Sequence, residues 1–133
     1  MKYLLDTHTF LWSVASSGNI PAATRAKLED PSNDVYLSAV SLWEISIKSR
    51  IGKIDLGGLL PGDLIGYSDK MGFELISLNA EEAISYCNLA ESTHNDPFDR
   101  MLIWQAIQRN LQIVSKDSDF KKFAPFGLKV VWK

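Results

Sequence analysis

The apolar positions of this chain change period several times, and each change marks an element. Lys2 to Leu5 is a short apolar run ended by Asp6, and Phe10, Leu11 and Val14 then recur at helical spacing from Thr7 to Ala15. A strand, a turn and a helix are predicted in that order. Ser16 to Asn19 stops the helix, Pro21 restarts one to about Glu29, and Asp34 to Ser38 has the β-branched and aromatic content of a strand. A helix follows from Val40 to about Arg50, with Val40, Trp43, Ile47 and Ile51 as its expected apolar stripe and Gly52 closing it. Lys53 to Gly62, holding three glycines and Pro61, reads as a loop between helices. Asp63 to Met71 is a weaker helix, Phe73 to Leu78 a strand, and Ala80 to Glu91 a helix with Ala83, Ile84, Cys87 and Ala90 on one side. Asp96-Pro97 opens the strongest helix, a capping aspartate before a proline at the first helical position, and Met101, Leu102, Ala106 and Ile107 carry its apolar face toward Arg109. Leu111 to Ser115 and Leu128 to Trp132 are the last strands. Between them lies a short helical turn from Asp117 to Phe123, broken by Pro125 to Gly127.

Strands alternating with helices require crossover connections, and crossovers make neighbouring strands parallel. The expected class is therefore α/β: a three-layer α/β/α sandwich around a mainly parallel five-stranded sheet, with residues 1–133 forming a single domain. The composition agrees, since 46% of the residues are hydrophobic and 23% charged, enough for an apolar core without staples. Cys87 is the only cysteine, and its apolar neighbours Ile84, Tyr86 and Leu89 suggest a small buried hydrophobe in a reducing compartment. No segment approaches the roughly 18 apolar residues of a membrane span, and Asp6 interrupts the one N-terminal apolar run, so a soluble cytoplasmic protein is expected. A net charge of −2 excludes a wholesale basic coat for nucleic acid, but not a local basic rim around an acidic centre.

In open α/β sheets, ligands bind beyond the carboxyl ends of the strands, where strand order reverses. Four acids fall there. Asp6 follows the first strand, Glu44 lies early in the helix after the second, Asp99 sits in the first turn of the late helix, and Asp117 follows the fourth strand. Each also has a simpler reading. Asp6 alone reads equally well as a helix cap, Glu44 as an exposed pair with Lys48 four residues on, Asp99 as part of a capping arrangement with Asp96, and Asp117 as a cap on the turn that includes Asp119. Glu44 and Asp99 stand beside apolar positions, where a lone carboxylate is costly. Converging acids would raise one another's pKa unless a cation sat among them, and hard divalent ions such as magnesium prefer carboxylate and water oxygens. No Gly-rich phosphate loop, Cys/His zinc spacing or Ser/His/Asp pattern competes. Metal-dependent phosphoryl chemistry is the inference.

Four segments carry a resemblance: Leu4-Leu5-Asp6-Thr7-His8, Ser38 to Ile45 (SAVSLWEI), Asp96 to Arg100 (DPFDR) and Val114 to Phe120 (VSKDSDF). In this order and spacing they resemble the PIN-domain ribonucleases, especially the VapC-type toxins of toxin–antitoxin systems, over essentially the whole chain. The resemblance implies that Asp6, Glu44, Asp99 and Asp117 hold Mg2+ (or Mn2+), with Asp96, Ser115 and Asp119 as accessories. Ser115 stands where many members carry threonine and keeps the hydroxyl. It further implies an endoribonuclease acting on RNA, a cognate VapB-type antitoxin as partner and a homodimer as the usual unit. Arg100, Lys116 and Lys48 are candidates to hold RNA phosphates, although solvated surface charge is the simpler reading of each.

His8 is expected to be a hydrogen-bonded structural residue and His94 to lie in the loop before Asp96. The tryptophans at 12, 43, 104 and 132 read mainly as core, with base stacking the minority reading. Ile47, Ile51, Ile54, Leu56, Leu59 and Leu60 form an apolar segment that suits either packing within the chain or a groove for an antitoxin helix or a second copy. Two alternatives stay open. A haloacid-dehalogenase-like phosphatase also uses magnesium and an early aspartate, but His8 occupies the place of its second aspartate. A catalytically idle PIN scaffold serving as a binding module would not need all four acids.

Overall fold

The computed structural model describes residues 1–133. Its five strands are β1 (Lys2–Leu5), β2 (Asp34–Ser38), β3 (Glu74–Ile76), β4 (Gln112–Val114) and β5 (Lys129–Val131), and its α-helices are α1 (Thr7–Ala15), α2 (Ala22–Glu29), α3 (Ala39–Arg50), α4 (Leu64–Lys70), α5 (Ala80–Ser85) and α6 (Pro97–Arg109). The strands form one sheet in the order β3-β2-β1-β4-β5, and every pairing is parallel. Side chains alternate across β1, so Leu4 packs with Val40, Leu102, Ile103 and Phe120 on one face, while Tyr3 and Leu5 pack with Phe10, Ile45 and Leu64 on the other. Two apolar layers on opposite faces make the α/β/α sandwich. No helix is long and apolar enough to cross a membrane.

The chain leaves β1 toward β2 and β3 on one side and returns to β4 and β5 on the other, so strand order reverses between β1 and β4. Asp6 emerges at this point, its N–H bound to the Val114 carbonyl at 3.1 Å, and the Thr9 hydroxyl donates to the same carbonyl at 3.0 Å. These bonds tie the start of α1 to the end of β4 and bring the Asp6 and Asp117 segments together.

Several expectations are corrected. The buried face of α3 is Val40, Ser41, Glu44 and Ile45, whereas Trp43 and Ile51 are exposed. Polar Ser41 and Glu44 turn inward because Thr7 supplies hydrogen bonds there, which leaves Val40 buried but turns Trp43 and Ile51 of the expected stripe toward solvent. Trp43 is thus not core, Trp12 and Trp132 are half-buried, and Trp104 alone of the four is buried. The helix expected to Glu91 stops at Ser85 and tightens to a 3-10 turn over Tyr86–Asn88, which leaves Ile84 and Cys87 exposed. Glu82 is buried instead, bonded to Gln105 and Arg109 of α6. The turn after Asp117 runs through Pro125 to Phe126 and ends at Gly127, whose φ of 101° suits glycine. Within the 47–60 segment, Ile54 and Leu56 pack onto the core, while Ile51 and Leu60 stay exposed.

Candidate functional site

Asp6, Glu44, Asp99 and Asp117 all line one open cleft of about 430 Å3, together with Asp96, His8, Trp12, Lys48 and Lys116. Asp6 caps α1 by accepting from the Thr9 N–H at 2.8 Å, so its cap and site roles coexist. Only 6% of it is exposed. Burial raises its pKa, against the opposing hydrogen bonds from Ser115 and Thr9. Ser115 is itself buried, and its hydroxyl also accepts from the Asp117 N–H at 3.1 Å, linking the two acids through one side chain.

Glu44 is 3% exposed and well partnered. The Thr7 hydroxyl donates to its Oε1 at 2.6 Å, Ser41 bonds the same hydroxyl, and the Lys48 ammonium pairs with Oε2. The expected pairing of Glu44 with Lys48 is present, but inside the cleft rather than on a solvated face. Burial alone would lower the Lys48 pKa, yet the Glu44 bond and the fields of Asp96 and Asp99 hold it above its ordinary value.

Asp96 caps α6, accepting from the N–H groups of Phe98 at 2.9 Å and Asp99 at 3.0 Å, which directs Asp99 into the cleft one turn later. Burial, with Asp96 and Glu44 adding repulsion and His94 opposing, raises the Asp99 pKa to about 6. Asp117 is exposed and caps its own turn through the Asp119 N–H at 2.9 Å. Asp119 does not line the cleft; it faces Lys122 at 3.8 Å in solvent, so its expected accessory place is not supported by the geometry.

His94 lies in the loop before Asp96, as the sequence predicts, and it also reaches into the site. Its Nε2 lies 3.0 Å from Asp99 Oδ2, and its ring stands edge-on between Phe120 and Phe123 at 5.9 and 6.0 Å. Donor atoms of His94, Asp99 and Asp117 lie within 4.8 Å of one another, a spacing that suits a shared metal ion. The loop is clamped from both ends. Arg100 donates to the carbonyls of Leu89, Glu91 and His94 and to the Tyr86 hydroxyl, while the Glu91 carboxylate accepts from the Thr93 and His94 N–H groups. Hydrogen bonds from Thr93 and His94 hold the Glu91 pKa down at about 2. Arg100 is thus a clasp for the His94 loop, with its fork occupied by protein carbonyls rather than turned to a substrate phosphate. His8, expected to be hydrogen-bonded, is exposed on the cleft wall beside Trp12 at 6.2 Å. The signal for His94 was its position two residues before the Asp96 cap, which folds the loop back over the first turn of α6.

The PIN domain family model matches residues 3–125. Among solved structures, the chain is similar to VapBC2 from Rickettsia felis bound to a DNA fragment from its promoter (18% identity, all of both chains, TM-score 0.67). It is also similar to DNA-bound VapBC from Salmonella typhimurium (19% identity, 98% of this chain and 97% of that one, TM-score 0.68). A third is VapBC-5 from Mycobacterium tuberculosis, of the VapBC family of toxin-antitoxin systems (17% identity, 98% and 95%, TM-score 0.55). A search of curated proteins finds no match. With a family model spanning nearly its whole length, and with acids from four separate segments meeting where the strand order reverses, the chain belongs to the PIN domain family.

Proposed function

We propose that this PIN domain is an endoribonuclease dependent on magnesium or manganese, acting as the toxin of a toxin–antitoxin pair with a VapB-type antitoxin as partner and a homodimer as its working unit. The observation that carries the chemistry is the convergence of Asp6, Glu44, Asp99 and Asp117 on one cleft, with Asp6 and Asp99 pushed up by burial. Such a cluster is costly alone and becomes favourable around a cation. The donors are oxygens with one imidazole nearby, which fits a hard divalent ion. The toxin and partner assignments draw on the likeness to the VapBC assemblies.

When bound, the ion supplies an activated water and charge stabilisation for phosphodiester hydrolysis. The chain's own part is to fix the donors beforehand. Thr9 and Ser115 hold Asp6, Thr7 and Lys48 hold Glu44, His94 holds Asp99, and Ser115 supports the Asp117 backbone. Asp96 caps the helix that presents Asp99 and adds negative charge to the same wall. Lys116 places an ammonium group on the rim, where a substrate phosphate would meet it, while the Lys48 ammonium is held by Glu44.

The test is cleavage of RNA by purified protein. Magnesium should support cutting and a chelator should stop it. Asp6→Asn and Asp99→Asn should each lower the rate by more than about a hundredfold with the circular dichroism spectrum intact. Full cleavage by both variants would remove the assignment of these acids.

A further inference from the structure

A second cleft, of about 470 Å3, opens beside the acidic one and shares Lys116, Asp117 and Ser118 with it. Its charge is opposite. Lys27 from α2, Lys116 and Lys121 from the segment after β4, and Lys133 after β5 all line it, and Asp117 is its only side-chain carboxylate. These four belong to a chain with 14 lysines and arginines in all and a net charge of −2, so this concentration is local. Lys27 Nζ donates to the main-chain oxygen of Lys133 at 3.1 Å, which fixes that ammonium at the cleft wall with two N–H donors left over.

Aromatic rings mark the boundary between the clefts. Lys116 Nζ lies 5.8 Å from the Trp12 ring centroid, Trp12 lies 5.8 Å from Trp132, and Trp132 lines the lysine cleft while Trp12 lines the acidic one. Both indoles are half-buried, so part of each ring is open to solvent. Ammonium groups beside partly exposed indoles are the combination that tracks a single-stranded polynucleotide, phosphates on the lysines and bases against the rings. A duplex keeps its bases stacked on one another and would leave the indoles unused.

We infer that the Lys27, Lys116, Lys121, Lys133 cleft is the track for one flank of a single-stranded RNA substrate, which crosses Trp12 and Trp132 as it leaves the acidic centre. This rests on the nuclease reading for the identity of the strand, and it adds a direction of approach that the acids alone do not define. The track lies on the β5 side of the site. It also accounts for Lys116 differently from Lys48, since Lys48 is neutralised by Glu44 and Lys116 has no carboxylate partner within salt-bridge distance.

The experiment measures binding of a fluorescein-labelled oligouridylate by anisotropy, in chelator so that nothing is cut, across a salt series. The Lys27→Ala/Lys121→Ala double variant should bind about tenfold more weakly, with a log–log salt slope shallower by about 1.4, two lysine–phosphate contacts at about 0.7 each. A Lys53→Ala/Lys70→Ala double variant, matched in charge change, should bind like wild type. Trp132→Leu should lose about tenfold in affinity with the slope unchanged, since stacking releases no counterions. Equal affinity and slope in the two double variants would overturn the track. So would equal binding of a matched duplex, or displacement of the oligonucleotide by a glutamate-rich peptide at equal charge concentration. The nuclease reading fails separately: binding as expected with no cleavage of any RNA in magnesium would remove that reading and leave the track.

Discussion

Replacing Asp99 by asparagine should stabilise the metal-free protein, an outcome opposite to that expected for most buried substitutions. In the folded chain burial and the neighbouring acids hold Asp99 at about 6, against an ordinary value of 3.8. The folded state therefore binds the Asp99 proton more tightly than the unfolded state does, and stability falls as pH rises from about 4 through about 6. Above that window the full cost is present. A difference of this size corresponds to about 3 kcal/mol, and partial solvent exposure of the carboxyl reduces the expected figure to about 1–2 kcal/mol. Asparagine retains an oxygen to accept from His94 and removes the charge. Urea unfolding in chelator at pH 7.5 should thus show Asp99→Asn more stable by about 1–2 kcal/mol, with the gap closing toward pH 5. Magnesium should reverse the order by stabilising only the wild type. A variant less stable than wild type at pH 7.5 in chelator, or a gap independent of pH between 5 and 7.5, would refute the reasoning.

Three further outcomes follow from the same contacts. Thr7→Val removes the donor to buried Glu44 at nearly constant volume, so it should cost about 1–3 kcal/mol in urea unfolding and slow cleavage; unchanged stability would mean that the 2.6 Å bond contributes little. Arg100→Lys keeps the charge but loses the fork that clasps three carbonyls, and hydrogen exchange across residues 89–94 should quicken, whereas unchanged protection would contradict the clasp. Leu102→Ala, at a fully buried position in the core between α6 and the sheet, should cost about 2–5 kcal/mol, and a loss below about 1 kcal/mol would show that the site collapses around the cavity.

The strands and the strong helices were legible because their signals are local: an apolar run ending at Asp6, or Asp96-Pro97 before a helical period. Asp6, Asp99 and Asp117 were legible as candidates because each sits near such a boundary, and Glu44 because it stands beside apolar positions of its helix. The inward face of α3 was not, because Ser41 and Glu44 are drawn in by Thr7, a partner 37 residues from Glu44 that no periodicity in α3 reports. Ile84 and Cys87 misled for a related reason. Glu82 is buried by an ion pair with Arg109, 27 residues on, and that pair decides which side of α5 faces the core. The lysine cleft was invisible for want of any basic run, since Lys27, Lys116, Lys121 and Lys133 come from three separate segments that only the sheet order brings together. His94 needed the clasp of Arg100 before its ring had a place. Side chains whose role depends on one distant donor are the ones that sequence pattern leaves open.

The central claim is that Asp6 at the end of β1, Glu44 of α3, Asp99 of α6 and Asp117 after β4 form a cleft that holds a divalent metal. Anomalous diffraction at the manganese edge, from crystals grown with MnCl2, tests it most directly. The account predicts a peak in the cleft lined by Asp6, Glu44, Asp99 and Asp117, within coordination distance of Asp99 and Asp117 and absent from crystals of Asp99→Asn. An empty cleft at saturating manganese, or a peak of equal height in that variant, would contradict it.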